Sequence, residues 1–385
     1  MPHLSDTPAA PPSRQLVLVG AGHAHLHVVS HRHRLDDTRV TLVDPGGFWY
    51  SGMANGMLGG RLTPAEDRLD PARLAARHGV TAVRGRLAGL DLIHRQAILE
   101  DGRALPFDLL SLNLGSICQA PPARRPGPAV WTVKPIPCLV ALRRCLEADF
   151  RRGAGPRLVV VGGGASGVEV ACNLSALSRR HGVNNTITLV TRGQRLLEDA
   201  PRGASRWLSR LLARRGIQVL GGTSVIGHAA GGALIRSDET LRGEDSLALL
   251  EADHVIHASG LTPPRVIDRL GLPVIPDRGL AVASSLQSTG DPDVFAAGDC
   301  AAMVDHRLPR LGVYSVRQAP VLLDNLAARL ADRPLRDHVP QPRALAILDL
   351  GEGLGLAIRG QSWWTGRLML LWKRWLDRRF MARYR

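Results

Sequence analysis

Lysine is almost missing from this chain: of 49 basic residues only Lys134 and Lys373 are lysines, and the rest are arginines. So lopsided a choice reads as drift in genome composition, and the formal net charge of +15 by itself identifies no partner. No nucleic-acid recognition motif accompanies it, so nucleic acid is not an expected partner. Cysteine is scarce too. The five present, Cys118, Cys138, Cys145, Cys172 and Cys300, form no C-x-x-C or C-x4-C pair, which argues against a zinc ribbon and a closely spaced redox disulfide. No apolar stretch reaches the roughly 18–20 uncharged residues that a spanning helix needs. Residues 1–13 have neither the basic start nor the apolar run of a signal peptide and read as a disordered tail. A reduced, cytoplasmic setting is the expectation.

With 385 residues, 45% apolar and 22% charged, the chain is globular and long enough for two or three domains. Its ordered part opens on an apolar strand at 15–19, followed by Gly20-Ala21-Gly22-His23-Ala24-His25. Strand, glycine turn and helix start are the signature of a βαβ unit that binds a dinucleotide. Glycine permits the tight turn and lets amide groups at the positive end of a helix meet a pyrophosphate. The next strand, 40–43, ends at Asp44, about two dozen residues after Gly20, the spacing of an acid that contacts an adenosine ribose. A second, fuller copy follows a Pro/Gly-marked boundary at 153–156. There a strand at 157–161 runs into Gly162-Gly163-Gly164-Ala165-Ser166-Gly167, and the strand after it ends at Thr191-Arg192. One such motif is weak; two in series, each between a strand and a helix, predict an α/β fold with two Rossmann-like dinucleotide-binding domains.

A buried-strand pattern at 294–297 ends in Gly298-Asp299. It resembles the second flavin-binding motif of the two-dinucleotide-binding flavoproteins, in which the Asp contacts the ribityl–pyrophosphate end of FAD. The stretch from Asp108 to Ser116, with Gly115 near its end, resembles that group's crossing strand, and His257-Ala258-Ser259-Gly260 its counterpart in the second domain. The motif order FAD, NAD(P), FAD implies one domain inserted in the other. The expected boundaries are 14–152 with 276–335 for FAD, 153–275 for NAD(P), and a C-terminal segment at 336–385.

Further stretches narrow the likeness. Gly20 to His27, Tyr50-Ser51-Gly52-Met53, Val133-Lys134-Pro135-Ile136, Gly312 to Gln318 and Trp372 to Met381 together resemble a branch of the type II NADH dehydrogenase-like flavoproteins. That branch includes the flavoprotein domain sometimes fused to selenide water dikinase. The resemblance implies bound FAD, oxidation of NADH or NADPH, and a quinone-type electron acceptor, with no proton pumping. It places FAD on Gly20, Gly22, His23, Ala24, His25, Asp44, Gly115, Gly298 and Asp299. NAD(P) falls on Gly162, Gly164, Gly167, Arg192 and Gly260, and the acceptor near Tyr314, Arg317 and Gln318.

Two departures stand out. His25 replaces the third glycine of the flavin fingerprint, so helix and strand cannot approach as closely there. Thr191-Arg192 replaces the acid that would favour NAD, and Arg192 could receive the 2′-phosphate of NADPH instead, so the choice of nucleotide stays open. His23, His27 and His31 share a helical face, yet no carboxylate or cysteine clusters with them and no metal is expected. Glu169 is either an acid favoured in a helix's first turn or, as the family implies, a catalytic group beside the flavin–nicotinamide contact. Lys134 is either a surface lysine in a Pro-flanked loop or a compact ammonium that stabilises an anionic reduced ring. Rival enzymes of the same superfamily, sulfide:quinone or thiol reductases, need paired cysteines, and only Cys118 and Cys300 could meet. A flavin-bearing nucleic-acid-binding or signalling protein is the remaining alternative.

The last 23 residues carry seven basic side chains and one acid, Asp377. Trp364, Leu368, Trp372, Leu376, Phe380 and Tyr384 recur at every fourth position, with Leu371 and Trp375 alongside and Lys373, Arg374, Arg378 and Arg379 flanking. The pattern predicts an amphipathic helix lying on an anionic membrane surface, a peripheral, monotopic attachment at the cytoplasmic face. The alternative is packing on the protein's own core or on a second subunit, as in a homodimer.

Overall fold

The computed structural model describes residues 14–121, 126–237, 246–341 and 343–385; the tail expected at 1–13 lies outside them. The chain divides into two compact units. The first takes the residues up to Phe48, then Asp70–Gly115 and Pro263–Pro340. Its centre is a parallel sheet in the order Val294–Ala296, Leu109–Leu112, Arg14–Val19, Thr38–Asp44, Thr81–Arg84. Leu16 to Val19 are all buried, as expected of an apolar run in a parallel sheet covered on both faces. Helix His23–Ser30 packs along Gly312–Leu330 on this sheet. The strand order reverses beside Arg14–Val19, and a sheet of this kind takes its ligand at the carboxyl ends of the strands flanking that reversal.

The second unit takes Trp49–Leu69, Ser116–Thr262 and Gln341–Arg385. Its parallel sheet runs Ala129–Thr132, His254–His257, Leu158–Val161, Ile187–Val190, Ile217–Leu220. This sheet lies in the chain interval between Leu109–Leu112 and Val294–Ala296 of the first, so one Rossmann-like fold is inserted in the other. The reversal here falls between Leu158–Val161 and His254–His257. The edge strand Ala129–Thr132 and helix Pro137–Arg151 precede residue 153 yet pack in this unit's core. A three-stranded antiparallel sheet, Ala346–Asp349, Gly355–Arg359 and Ser362–Gly366, leads into helix Arg367–Ala382.

That last helix differs from its expected form in three ways. Trp363 and Trp364 stand in the strand before it, not on its face. Leu368, Leu371, Trp372, Trp375 and Leu376 are exposed, whereas Phe380 and Tyr384 are buried, Phe380 stacked 4.6 Å from Tyr50. A four-residue repeat advances about 40° per step beyond a full turn, so between Leu368 and Phe380 the stripe has rotated from outside to inside. Lys373 does not flank a lipid-facing stripe. It is buried, bonded to the Gly52 carbonyl and to Asp377 at 2.8 Å.

Candidate functional site

The two glycine turns are built alike. In the first, the Gly20 amide donates to Val43 O and the Asn113 amide to Val19 O, both at 2.8 Å. A Cβ at Gly22 would lie 2.1 Å from Asn113 Oδ1, so glycine is required there by the protein itself. Asn113, buried at the end of its strand, gathers three separate motifs. Its Oδ1 accepts from the amides of Ala24 (3.1 Å) and His25 (3.4 Å), and its Nδ2 donates to Ala297 O at 2.6 Å. Residue-by-residue reading misses this role; the available signal was one amide side chain ending an apolar strand.

His25 fills the room that a third glycine would leave. Its Nδ1 lies 2.6 Å from Gly20 O and its Nε2 2.8 Å from Ser111 Oγ. A carbonyl can only accept, so Nδ1 carries the proton and Nε2 accepts from the serine hydroxyl. Burial pushes its pKa down to about 4, and the ring stays neutral. His23 meets Phe48 edge-on at 5.1 Å, and the His27 and His31 rings lie 4.1 Å apart. Asp44 ends its strand beside the turn, accepting from the amides of Ala21 at 3.3 Å and of Gly46 and Gly47 at 2.8 Å. Gly115 has φ +72° and open space around its Cβ position.

The Gly298-Asp299 turn is held through its main chain. The Gly298 amide donates to Gln318 Oε1 at 2.7 Å, and Arg310 Nε donates to Asp299 O at 3.2 Å. Gln318, expected beside the acceptor, thus supports the flavin motif in this structure; Tyr314 is half-buried and Arg317 exposed on the same helix.

In the second unit the Gly162 amide donates to Val190 O at 2.8 Å and that of Ala258 to Val161 O at 2.9 Å, repeating the first pattern. A Cβ at Gly167 would fall 1.8 Å from Gly162 O, so this glycine serves helix–strand packing. Gly164 is different. It caps helix Ala165–Arg180 with no side-chain cap, and a Cβ there would meet nothing within 4 Å. Gly260, across the reversal, is equally open. Uncapped helix amides behind an open glycine fit the pyrophosphate of a nucleotide. Arg192 is exposed just past strand Ile187–Val190.

Glu169 lies one turn into that helix. Its Oε1 accepts from the Asp349 amide at 2.6 Å and its Oε2 from Asn55 Nδ2 at 3.0 Å. Burial pushes its pKa up to about 7, placing it near the value that suits proton exchange at neutral pH. Lys134 donates to Ser116 Oγ at 2.9 Å and is half-buried. Beneath the last helix Asp67 is buried close to Asp377 and Lys373. Desolvation and then the Asp377 charge push its pKa up to about 8. An acid raised in the folded state costs stability progressively as pH climbs from its unfolded value to its folded one, here through neutrality.

All five cysteines are free. Burial raises the Cys118 thiol and pushes that of Cys300 up to about 11, the opposite of what a reactive thiolate needs. Among the described residues, Cys145, Asp149 and His254 stand close enough to surround a metal. Trp131 Nε1, however, donates to His254 Nδ1 at 3.0 Å. Indole can only donate, so the proton of the neutral imidazole sits on Nε2, the nitrogen facing Asp149 at 3.4 Å. That tautomer offers a metal no lone pair.

The pattern of the family described as pyridine nucleotide-disulphide oxidoreductase matches residues 14–319. The NADH dehydrogenase-like protein YutJ of Bacillus subtilis is 22% identical over 92% of this chain and 95% of its own length. Demethylphylloquinone reductase NdbB of Synechocystis is 28% identical over 75% of this chain and 72% of its own. In fold, the sulfide:quinone oxidoreductase of Aquifex aeolicus superposes with a TM-score of 0.80 at 15% identity, covering 97% of this chain and 92% of that one.

Proposed function

The chain belongs to the pyridine nucleotide-disulphide oxidoreductase family, as a type II NADH dehydrogenase-like FAD oxidoreductase, and from that premise we propose that it passes two electrons from NADH or NADPH to a quinone-type acceptor without pumping protons. Its cofactors are FAD and NADH or NADPH. FAD, when bound, supplies the hydride-accepting and electron-donating chemistry, and the protein supplies alignment, charge and exclusion of water. The observation that carries the reading is the pair of glycine turns, one in each unit, each at its sheet's reversal, with the strand that leads into Gly298-Asp299 tied to the first through Asn113 and Ala297. Gly20, Gly22 and Asp299 hold FAD, and the open turn at Gly164 and Gly260 holds the nicotinamide nucleotide. Glu169 positions the reduced nucleotide and exchanges a proton. Lys134 would supply a compact ammonium to offset negative charge when FAD is bound. Two facts support a quinone as acceptor: the reductase named for one among the relatives and the exposed apolar face of the last helix. The buried cysteines with raised thiol pKa values favour this over thiol chemistry.

Attachment to the membrane is peripheral, at the cytoplasmic face, through Leu368, Leu371, Trp372, Trp375 and Leu376; Arg379 lies over the Trp375 ring at 5.3 Å. No helix among the described residues is long and apolar enough to cross a membrane. Deleting the tail would also remove Leu370, Phe380 and Met381 from the core, so surface changes are the cleaner probe. Leu368→Glu with Trp372→Glu should weaken sedimentation with anionic vesicles at least about tenfold, through lost apolar burial, with flavin content unchanged. Equal sedimentation would sink the attachment. The central test is stopped-flow reduction of the bound flavin by NADH and by NADPH, followed by reoxidation with a soluble quinone analogue. Reoxidation no faster than by dissolved oxygen would reject the quinone reading.

A further inference from the structure

Apart from the nucleotide turn, the second unit holds a cavity of about 690 Å³ between the turn Gly351–Gly353, helix Ala165–Arg180 and helix Arg367–Ala382. Four arginines line it, Arg61, Arg180, Arg367 and Arg374, against a single acid, Glu352. That acid is already engaged by Arg179 at 2.9 Å and Arg215 at 3.0 Å, and Arg61 is paired with Asp349 at 2.7 Å. Among the described residues, no acid pairs with Arg180, Arg367 or Arg374. Arg374 also has its Nε–H buried without a hydrogen-bond partner, and such a donor is costly unless a ligand satisfies it. Burial and the nearby Arg61 guanidinium hold Arg374 below the usual arginine range.

The placement of these groups says what they would bind. Arg367, Leu370, Leu371 and Arg374 recur at i, i+3, i+4 and i+7, so two guanidinium groups share one face of the last helix. Arg180 comes from a different helix. Several guanidinium forks lining one cavity offer more donors than one carboxylate accepts and suit the several oxygens of a phosphate. Leu371 lines the cavity and also belongs to the exposed apolar row.

We infer that this cavity seats the phosphate of a phosphate ester, and the adjoining apolar row favours a phospholipid headgroup as its source. The seat is separate from the nucleotide turn of the same unit, since neither Gly164 nor Gly260 lines it. Two measurements on the full, flavin-loaded chain test it. The first is the melting temperature in glycerol 3-phosphate against sodium chloride of equal ionic strength. The second is sedimentation with phosphatidylcholine vesicles carrying phosphatidic acid. The cavity pair Arg180→Gln with Arg374→Gln is compared with Arg378→Gln plus Arg379→Gln, which removes the same charge from the same surface outside the cavity. The cavity pair should bind phosphatidic acid vesicles at least about tenfold more weakly than the control pair, because charge-assisted hydrogen bonds and not mere charge are lost. Protection by glycerol 3-phosphate that the cavity pair abolishes, with vesicle binding equal in both pairs, supports the seat and assigns it a free ester. If neither measurement separates the two pairs, the inference is overturned. Arg180→Gln alone, at the exposed rim, repeats the comparison should the Arg374 change disturb folding.

Discussion

Gly164→Val should give a folded, yellow protein that neither NADH nor NADPH reduces at a useful rate. The residue caps its helix at φ −79° and ψ −176°, extended backbone that valine adopts without strain. A Cβ there meets nothing within 4 Å, so the native fold has no objection to the added carbons. On the proposed reading the objection comes from the nucleotide, whose pyrophosphate would have to reach the amides at the start of helix Ala165–Arg180. We expect kcat/KM for NAD(P)H to fall at least about 100-fold, roughly 2.7 kcal/mol of transition-state binding. Flavin content, melting temperature and reduction by dithionite should stay as in the parent. Normal reduction by NAD(P)H would mean that the nucleotide does not use this turn. Gly167 makes a useful contrast, because its Cβ would strike Gly162 O at 1.8 Å and the variant should fail at folding instead.

Asp299→Ala should purify nearly colourless. Gln318 holds the turn through the Gly298 amide and Arg310 through the Asp299 carbonyl, so both supports survive loss of the side chain. What disappears is the carboxylate at the end of strand Val294–Ala296. Charge-assisted hydrogen bonds contribute about 1.5–3 kcal/mol each, so FAD affinity should drop by about 10- to 100-fold for each one lost. The ratio of flavin absorbance to protein after desalting reads this directly. A variant with full flavin occupancy would remove Asp299 from the site.

What could be read without coordinates is what local backbone geometry demands. A turn that needs left-handed or crowded backbone needs glycine, so Gly20, Gly22 and Gly162 announce themselves, as do the strands that flank them. Residues whose work depends on distant partners stay silent. Asn113 gains meaning only when Ala24 and Ala297 arrive beside it, and Gln318 only when Gly298 does. Lys373 looked like one more basic residue on a surface helix; its burial depends on Asp377 one turn away and on Gly52 more than 300 positions earlier in the chain. The edge strand Ala129–Thr132 was illegible for the same reason, since it precedes the boundary expected at 153 and pairs with His254–His257.

The Asn113 bracket also bears on how the protein is made. Its amide group bonds Ala297, 184 residues later, and the strand Val294–Ala296 that covers the edge of Leu109–Leu112 is equally late. At roughly 5–20 residues per second, the ribosome needs on the order of 10–40 s to supply them. Throughout that interval the nascent flavin fold has an open sheet edge and an unanswered amide, the condition in which strands pair with the wrong chain. Capture of the cofactor is therefore a late event in synthesis, and the newborn chain has more need of a chaperone than the finished one.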